Sequence, residues 1–126
     1  MNKNYQLGLL YLIKLLIDAD GIADEKELEA LRIIKDRENI PNDVFQEFEA
    51  GFRNFNERRV YDTGIELINA CSNEEKLRVF ATLYRLSEAD GRVHVKEIKL
   101  LLYSIKTAGL EFDQVVNYAR SLPPIF

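Results

Sequence analysis

Apolar residues recur along this chain at intervals of three and four, the period of a helix face, and they nowhere alternate in the manner of a strand bounded by turns. That spacing predicts seven helices. The first spans about Asn4 to Ala19, carries the apolar run Leu7 to Ile17 and stops at Gly21, a residue suited to the left-handed position after a helix. The second opens after Asp24, which stands three residues before Glu27 as in a capping box. It carries Leu28, Leu31 and Ile34 and ends before Pro41. The third follows Asn42 or Asp43 and puts Phe45, Phe48, Phe52 and Phe55 on one face. The fourth starts near Asn56 with Val60, Ile65 and Ile68. A second capping box, Ser72 with Glu75, opens the fifth, which holds Leu77, Phe80, Leu83 and Leu86. The sixth runs from near His94 to just before Gly109, and a short seventh from about Phe112 to Leu122.

Little interrupts these elements. Proline occurs only at Pro41, Pro123 and Pro124, and no long linker or low-complexity stretch divides the chain, so residues 1–126 read as one compact all-α domain. The run Leu7 to Ile17, broken by Lys14, is too short to span a bilayer. It lacks a small-residue cleavage site and leads into Asp18 and Asp20, so it reads as a buried core helix and not a signal peptide, with a direct membrane contact as the alternative. The Phe stripe has the spacing of an inward face, with an aromatic ligand pocket as the alternative. The apolar tail Leu122 to Phe126 is expected to pack back on the domain, with a short partner-binding tail as the alternative.

One segment occurs twice. Ala19-Asp20-Gly21 followed by Lys26-Glu27 returns seventy residues later as Ala89-Asp90-Gly91 followed by Lys96-Glu97. Aligned from Ile13 to Leu31 against Leu83 to Leu101, seven of nineteen positions are identical. The repeat predicts two helix–turn–helix halves, roughly 5–40 and 73–110, related by an approximate two-fold axis.

Composition narrows the function. The chain carries a net charge of −4 and a pI near 5.1, which argues against nucleic acid as a partner. The single cysteine, Cys71, excludes an intrachain disulfide and fits a reducing, cytoplasmic setting, where it reads as apolar filler and not as a nucleophile. One His and one Cys cannot build a Cys/His zinc site, and neither a phosphate-binding glycine loop nor a nucleophile elbow is present. A non-enzymatic protein is therefore expected, either a cation-binding module or a protein-interaction scaffold.

The acidic turns carry the remaining chemistry. They do not form an EF-hand: with Gly21 or Gly91 at loop position six, the first ligand position falls on Leu16 or Leu86, although Glu27 and Glu97 fall on position twelve. Two roles stay open. Asp20 and Asp90 can bond their own turns, while Glu27 and Glu97 cap a helix start and meet its dipole, worth roughly 0.3–1 kcal/mol. Alternatively, Asp20, Asp24 and Glu27, with Asp90 and Glu97, supply hard oxygen ligands to Ca²⁺, Mg²⁺ or Mn²⁺.

The Ala-Asp-Gly turn followed by a helical Glu, once in each half of an all-helical chain of this size, resembles the tellurite-resistance TerB-like family, over nearly the whole length. The resemblance implies a stress-response module that binds a divalent cation through Asp20, Glu27, Asp90 and Glu97 and contacts a protein partner. It extends to the TerB-like region of membrane-anchored J-domain co-chaperones, but no J-domain or membrane segment accompanies it here, so membrane association is not indicated. The second turn also departs in charge, with Arg92, His94 and Val95 where the first has Ile22, Asp24 and Glu25.

Overall fold

The computed structural model describes residues 3–18, 25–88 and 103–123. Helix α1 covers Lys3–Asp18, α2 Glu25–Arg37, α3 Asn42–Asn54, α4 Glu57–Asn69 and α5 Asn73–Glu88. Helix α6 is described over 103–107, and α7 covers Phe112–Ser121. Among the described residues there are seven helices and no strand.

Helix α1 organises the fold. Every side chain from Leu7 to Ile13 is buried, as are Leu15 and Leu16, with Lys14 half-buried between them. A helix that is apolar all round is stable only when neighbours cover every side. Four do so here: α4 most extensively, then α3, α5 and α2. Burying each of these Leu and Ile side chains stabilises by about 1.5–3 kcal/mol. Around α1 the core is completed by Val44 and Phe48 of α3, Val60 and Ile68 of α4, Val79 and Phe80 of α5, Ile105 of α6 and Val115 of α7.

The contact between α1 and α4 depends on glycine. A Cβ on Gly8 would lie 2.5 Å from Cδ1 of Ile68 and 3.2 Å from the Gly64 carbonyl oxygen. A Cβ on Gly64 would lie 3.2 Å from Cδ2 of Leu12. The two backbones thus approach where neither helix carries a side chain.

Local signals start and stop most helices. The Asn56 side chain accepts the Arg59 N–H at 2.8 Å to open α4. At α5 the box is reciprocal: Ser72 Oγ accepts the Glu75 N–H at 3.2 Å, and Glu75 Oε1 accepts the Ser72 N–H at 3.1 Å. A further box opens α7, between Glu111 and Gln114. Glu lies outside the Ser, Thr, Asp and Asn set that marks a cap, so spacing alone does not reveal it. Helix α3 starts one residue earlier than a cap at Asn42 would allow. Pro41 takes the capping position without a side-chain bond, its ring holding φ at −64°, and Asn42 instead accepts a bond from Lys35 Nζ at 2.9 Å.

Helices α2 and α6 end in the same way. Asn39 (φ 53°) and Gly109 (φ 78°) adopt the left-handed conformation. Asn39 N–H bonds to the Asp36 carbonyl and Ile40 N–H to that of Lys35; Gly109 and Leu110 do the same with Lys106 and Ile105. These two ends stand seventy residues apart, the offset of the sequence repeat. Both bounds of α1 and α5 differ by that offset, as do the first residues of α3 and α7.

The chain after α7 turns back onto the domain. Arg85 Nε donates to the Ala119 carbonyl at 2.9 Å and Nη2 to that of Leu122 at 3.3 Å, while Arg37 Nη1 donates to the Pro123 carbonyl at 3.1 Å. Residues 124–126 of the apolar tail lie outside the described residues, as does Gly21. No helix among the described residues is long and apolar enough to cross a membrane.

Replacing Gly8 by Ala tests the α1–α4 crossing. Helix propensity favours Ala by about 1 kcal/mol, but overpacking against Ile68 costs about 1–3 kcal/mol. The expected outcome is a net loss of up to about 2 kcal/mol, read from the urea midpoint at constant m-value.

Candidate functional site

Of the acidic residues singled out in the sequence, Asp20, Asp24, Asp90 and Glu97 lie outside the described residues, as does His94. Glu27 falls in the first turn of α2 by its backbone, as its spacing predicts; its side chain is not among those described. Among the described residues no group of three or more His, Cys, Asp or Glu is placed to hold a metal ion.

The described surface has a different site, a groove of 370 Å³ over α1 between α2 and α3. Its aromatic wall comes from the Phe stripe of α3, which divides into two environments. Phe48 is buried and meets Tyr11 edge-on at 5.5 Å. Phe45 and Phe52 are half-buried, 5.5 Å and 6.2 Å from the Phe48 ring, and line the groove with it. The stripe is thus core at its centre and surface at its flanks. Leu31 of α2 supplies an apolar patch opposite.

Cations surround this apolar lining. Lys14 Nζ stands 4.9 Å from the Phe52 ring centroid, and Lys35 Nζ 5.7 Å from that of Phe45, both within cation–π range. Arg32 of α2 and Arg53 of α3 extend the rim, and among the described residues one carboxylate, Glu49, lines the groove with them. On a chain of net charge −4 this is a local reversal of sign. In the sequence its one visible trace is Lys14, the break in an otherwise apolar run. The other cations belong to different helices, and only the fold brings them together.

A second polar cluster lies inside. Glu38 follows α2, and its carboxylate oxygens are 2.9 Å and 3.2 Å from Arg78 Nε of α5. The Glu38 side chain is 6% exposed and that of Arg78 25%. Burial by itself would lower the Arg78 pKa, but the hydrogen bond and charge of Glu38 outweigh it and the pKa is raised. Beside this pair lies the wholly buried Tyr5. Burial pushes its hydroxyl pKa well up, and the Glu38 carboxylate adds to the shift. The cavity next to the pair measures about 10 Å³, room for one water at most, so the cluster is structural and not a ligand pocket. Forty residues separate Glu38 from Arg78, and no local motif marks the pairing.

Cys71 is half-buried after α4, and its Sγ donates to the Leu67 carbonyl at 3.4 Å. Burial pushes the thiol pKa up, with the nearby Glu75 carboxylate adding to it. Such a thiol is a poor nucleophile, as expected for filler.

Compared with known protein families, curated proteins and solved structures, the chain matches none.

Two outcomes follow from the interior cluster. Arg78→Met leaves the Glu38 carboxylate buried without its cation and is expected to cost about 2–4 kcal/mol by chemical denaturation; adding Glu38→Leu recovers most of the loss. Tyr5 sets an alkaline limit. Its folded pKa exceeds the unfolded value of about 10, so the native state keeps a proton that the unfolded chain releases, and stability falls as pH rises past about 10. In Tyr5→Phe the slope of stability against pH above that point should be shallower by up to about one proton, measured by denaturation at stepped pH.

Proposed function

We propose that this chain is a non-enzymatic, TerB-like binding module of the cytoplasm that holds a divalent cation at its acidic turns and contacts a protein partner in a stress response. The observation that carries this reading is the duplicated turn, with Asp20 and Glu27 in one copy and Asp90 and Glu97 in the other at identical spacing. The recurrence of helix bounds at the same seventy-residue offset supports two halves related by a pseudo-two-fold axis. Each half would then present one acidic turn. Asp24 makes the first turn the richer in carboxylates. Clustered carboxylates repel one another, and a bound cation relieves that repulsion. Ligands that are all oxygen favour hard ions, so Ca²⁺, Mg²⁺ or Mn²⁺ binds ahead of softer metals.

A second reading makes the protein a scaffold in which these acids only cap helices. The cation-rimmed groove over α1 favours it, because an apolar lining with charged edges suits a protein partner.

Calorimetry at physiological salt separates the two. The cation reading expects saturable heat with at least one of Ca²⁺, Mg²⁺ and Mn²⁺, lost in the double variant Asp20→Asn with Asp90→Asn. It also expects the melting temperature to rise with the ion, by the equivalent of about 2.7 kcal/mol at one hundred times Kd. Absence of heat with all three ions, or heat unchanged in the double variant, leaves the scaffold.

A further inference from the structure

We infer that the groove between α2 and α3 is the docking site for an acidic amphipathic helix of a partner protein. Its residues are not those of the acidic turns, so this locates the partner contact of the functional reading without depending on the cation.

Shape is the first argument. Helices α2 and α3 both pack on α1, and among the described residues they meet each other at one end, where the Lys35 side chain reaches Asn42 and the Phe45 ring. Beyond that end the groove stays open over α1, and a helix entering it would pack against α2 and α3 at the usual axis separation of about 8–10 Å. Apolar residues of an incoming helix, two turns apart, would meet Phe45 and Phe52, which the domain itself leaves half-buried. The described chain has no strand whose edge could receive an extended peptide instead.

Charge selects the kind of helix. Lys14 and Lys35 are held against the aromatic wall by the rings they overlie, and Arg32 and Arg53 complete the rim. Carboxylates flanking the apolar stripe of an incoming helix would meet these cations on either side, whereas a basic helix would face like charge. Nucleic acid shares the required sign but offers no apolar stripe to the Phe wall, and the net charge of −4 repels a polyanion.

The test uses a helical Ala-based peptide of about eighteen residues, roughly 27 Å long, with Leu and Phe along one face and Glu flanking them. The control peptide has Lys in place of each Glu. Titrations into the full chain are followed by calorimetry and by backbone amide NMR. The Glu peptide is expected to bind, to shift amides of Lys14, Lys35 and Phe52, to weaken with added salt, and to bind at least about tenfold more tightly than its Lys counterpart. In the exposed double variant Arg32→Glu with Arg53→Glu, the preference between the two peptides should reverse while the denaturation midpoint stays near that of the parent. Absence of binding by the Glu peptide, equal binding of both peptides, or a preference unmoved by the double reversal overturns the assignment. So does concentration-dependent self-association abolished by the double reversal, which gives the groove to a second copy. Tighter binding of a short single-stranded RNA at the same amides gives it to nucleic acid and equally overturns the helix.

Discussion

An apolar helix cannot stand at the edge of a domain. Between Leu7 and Leu16, α1 offers water only the half-buried Lys14, and the other helices are arranged to cover what remains. Helix α4 takes the closest berth because Gly8 and Gly64 let it. Helices α2, α3 and α5 then occupy the remaining sides. The groove follows from the same constraint: α2 and α3 each pack on α1 and meet one another at the Lys35 end, and the space left between them is where the aromatic stripe stays partly uncovered. The binding surface is thus a by-product of how a central helix is wrapped.

Much of this was legible from the chain. The interval of apolar residues marks the helices, and short-range chemistry marks their ends at Asn56, Ser72 with Glu75, and Gly109, because a cap or a left-handed residue acts over three or four positions. Contacts between distant residues were not legible. Periodicity tells which face of α3 points inward, but not that Phe48 is covered while Phe45 and Phe52 sit at the margin; that depends on how the neighbouring helices are placed. Arg32 and Lys35 share a face of α2, but Lys14 and Arg53 come from two other helices, and no spacing links the set. Glu38 and Arg78 find each other only after the chain has folded. With the acidic turns the position is reversed: they are conspicuous in sequence, and apart from the backbone of Glu27 they lie outside the described residues.

The two polar features of the described chain differ in what they ask of solvent. Glu38 and Arg78 exchange water for each other, with a cavity beside them too small to admit a ligand. The two lysines of the groove each stand over an aromatic ring at the surface, where a charge remains partly hydrated. A buried pair secures one conformation, while an exposed array of like charges is available for recognition.

The anchoring of the last helix has a further implication. Arg37 and Arg85 hold the end of α7 and the chain beyond it by three bonds, all to main-chain oxygens. Every amino acid carries that acceptor. The anchor therefore reads the path of the chain and not its composition: the side chains at 122 and 123 can drift without loosening it, whereas Ala119 is fixed by its burial in the core. Evolutionary freedom at this end is consequently unequal. The chain just after α7 is open to rewriting, whereas the two arginines that grip it are not.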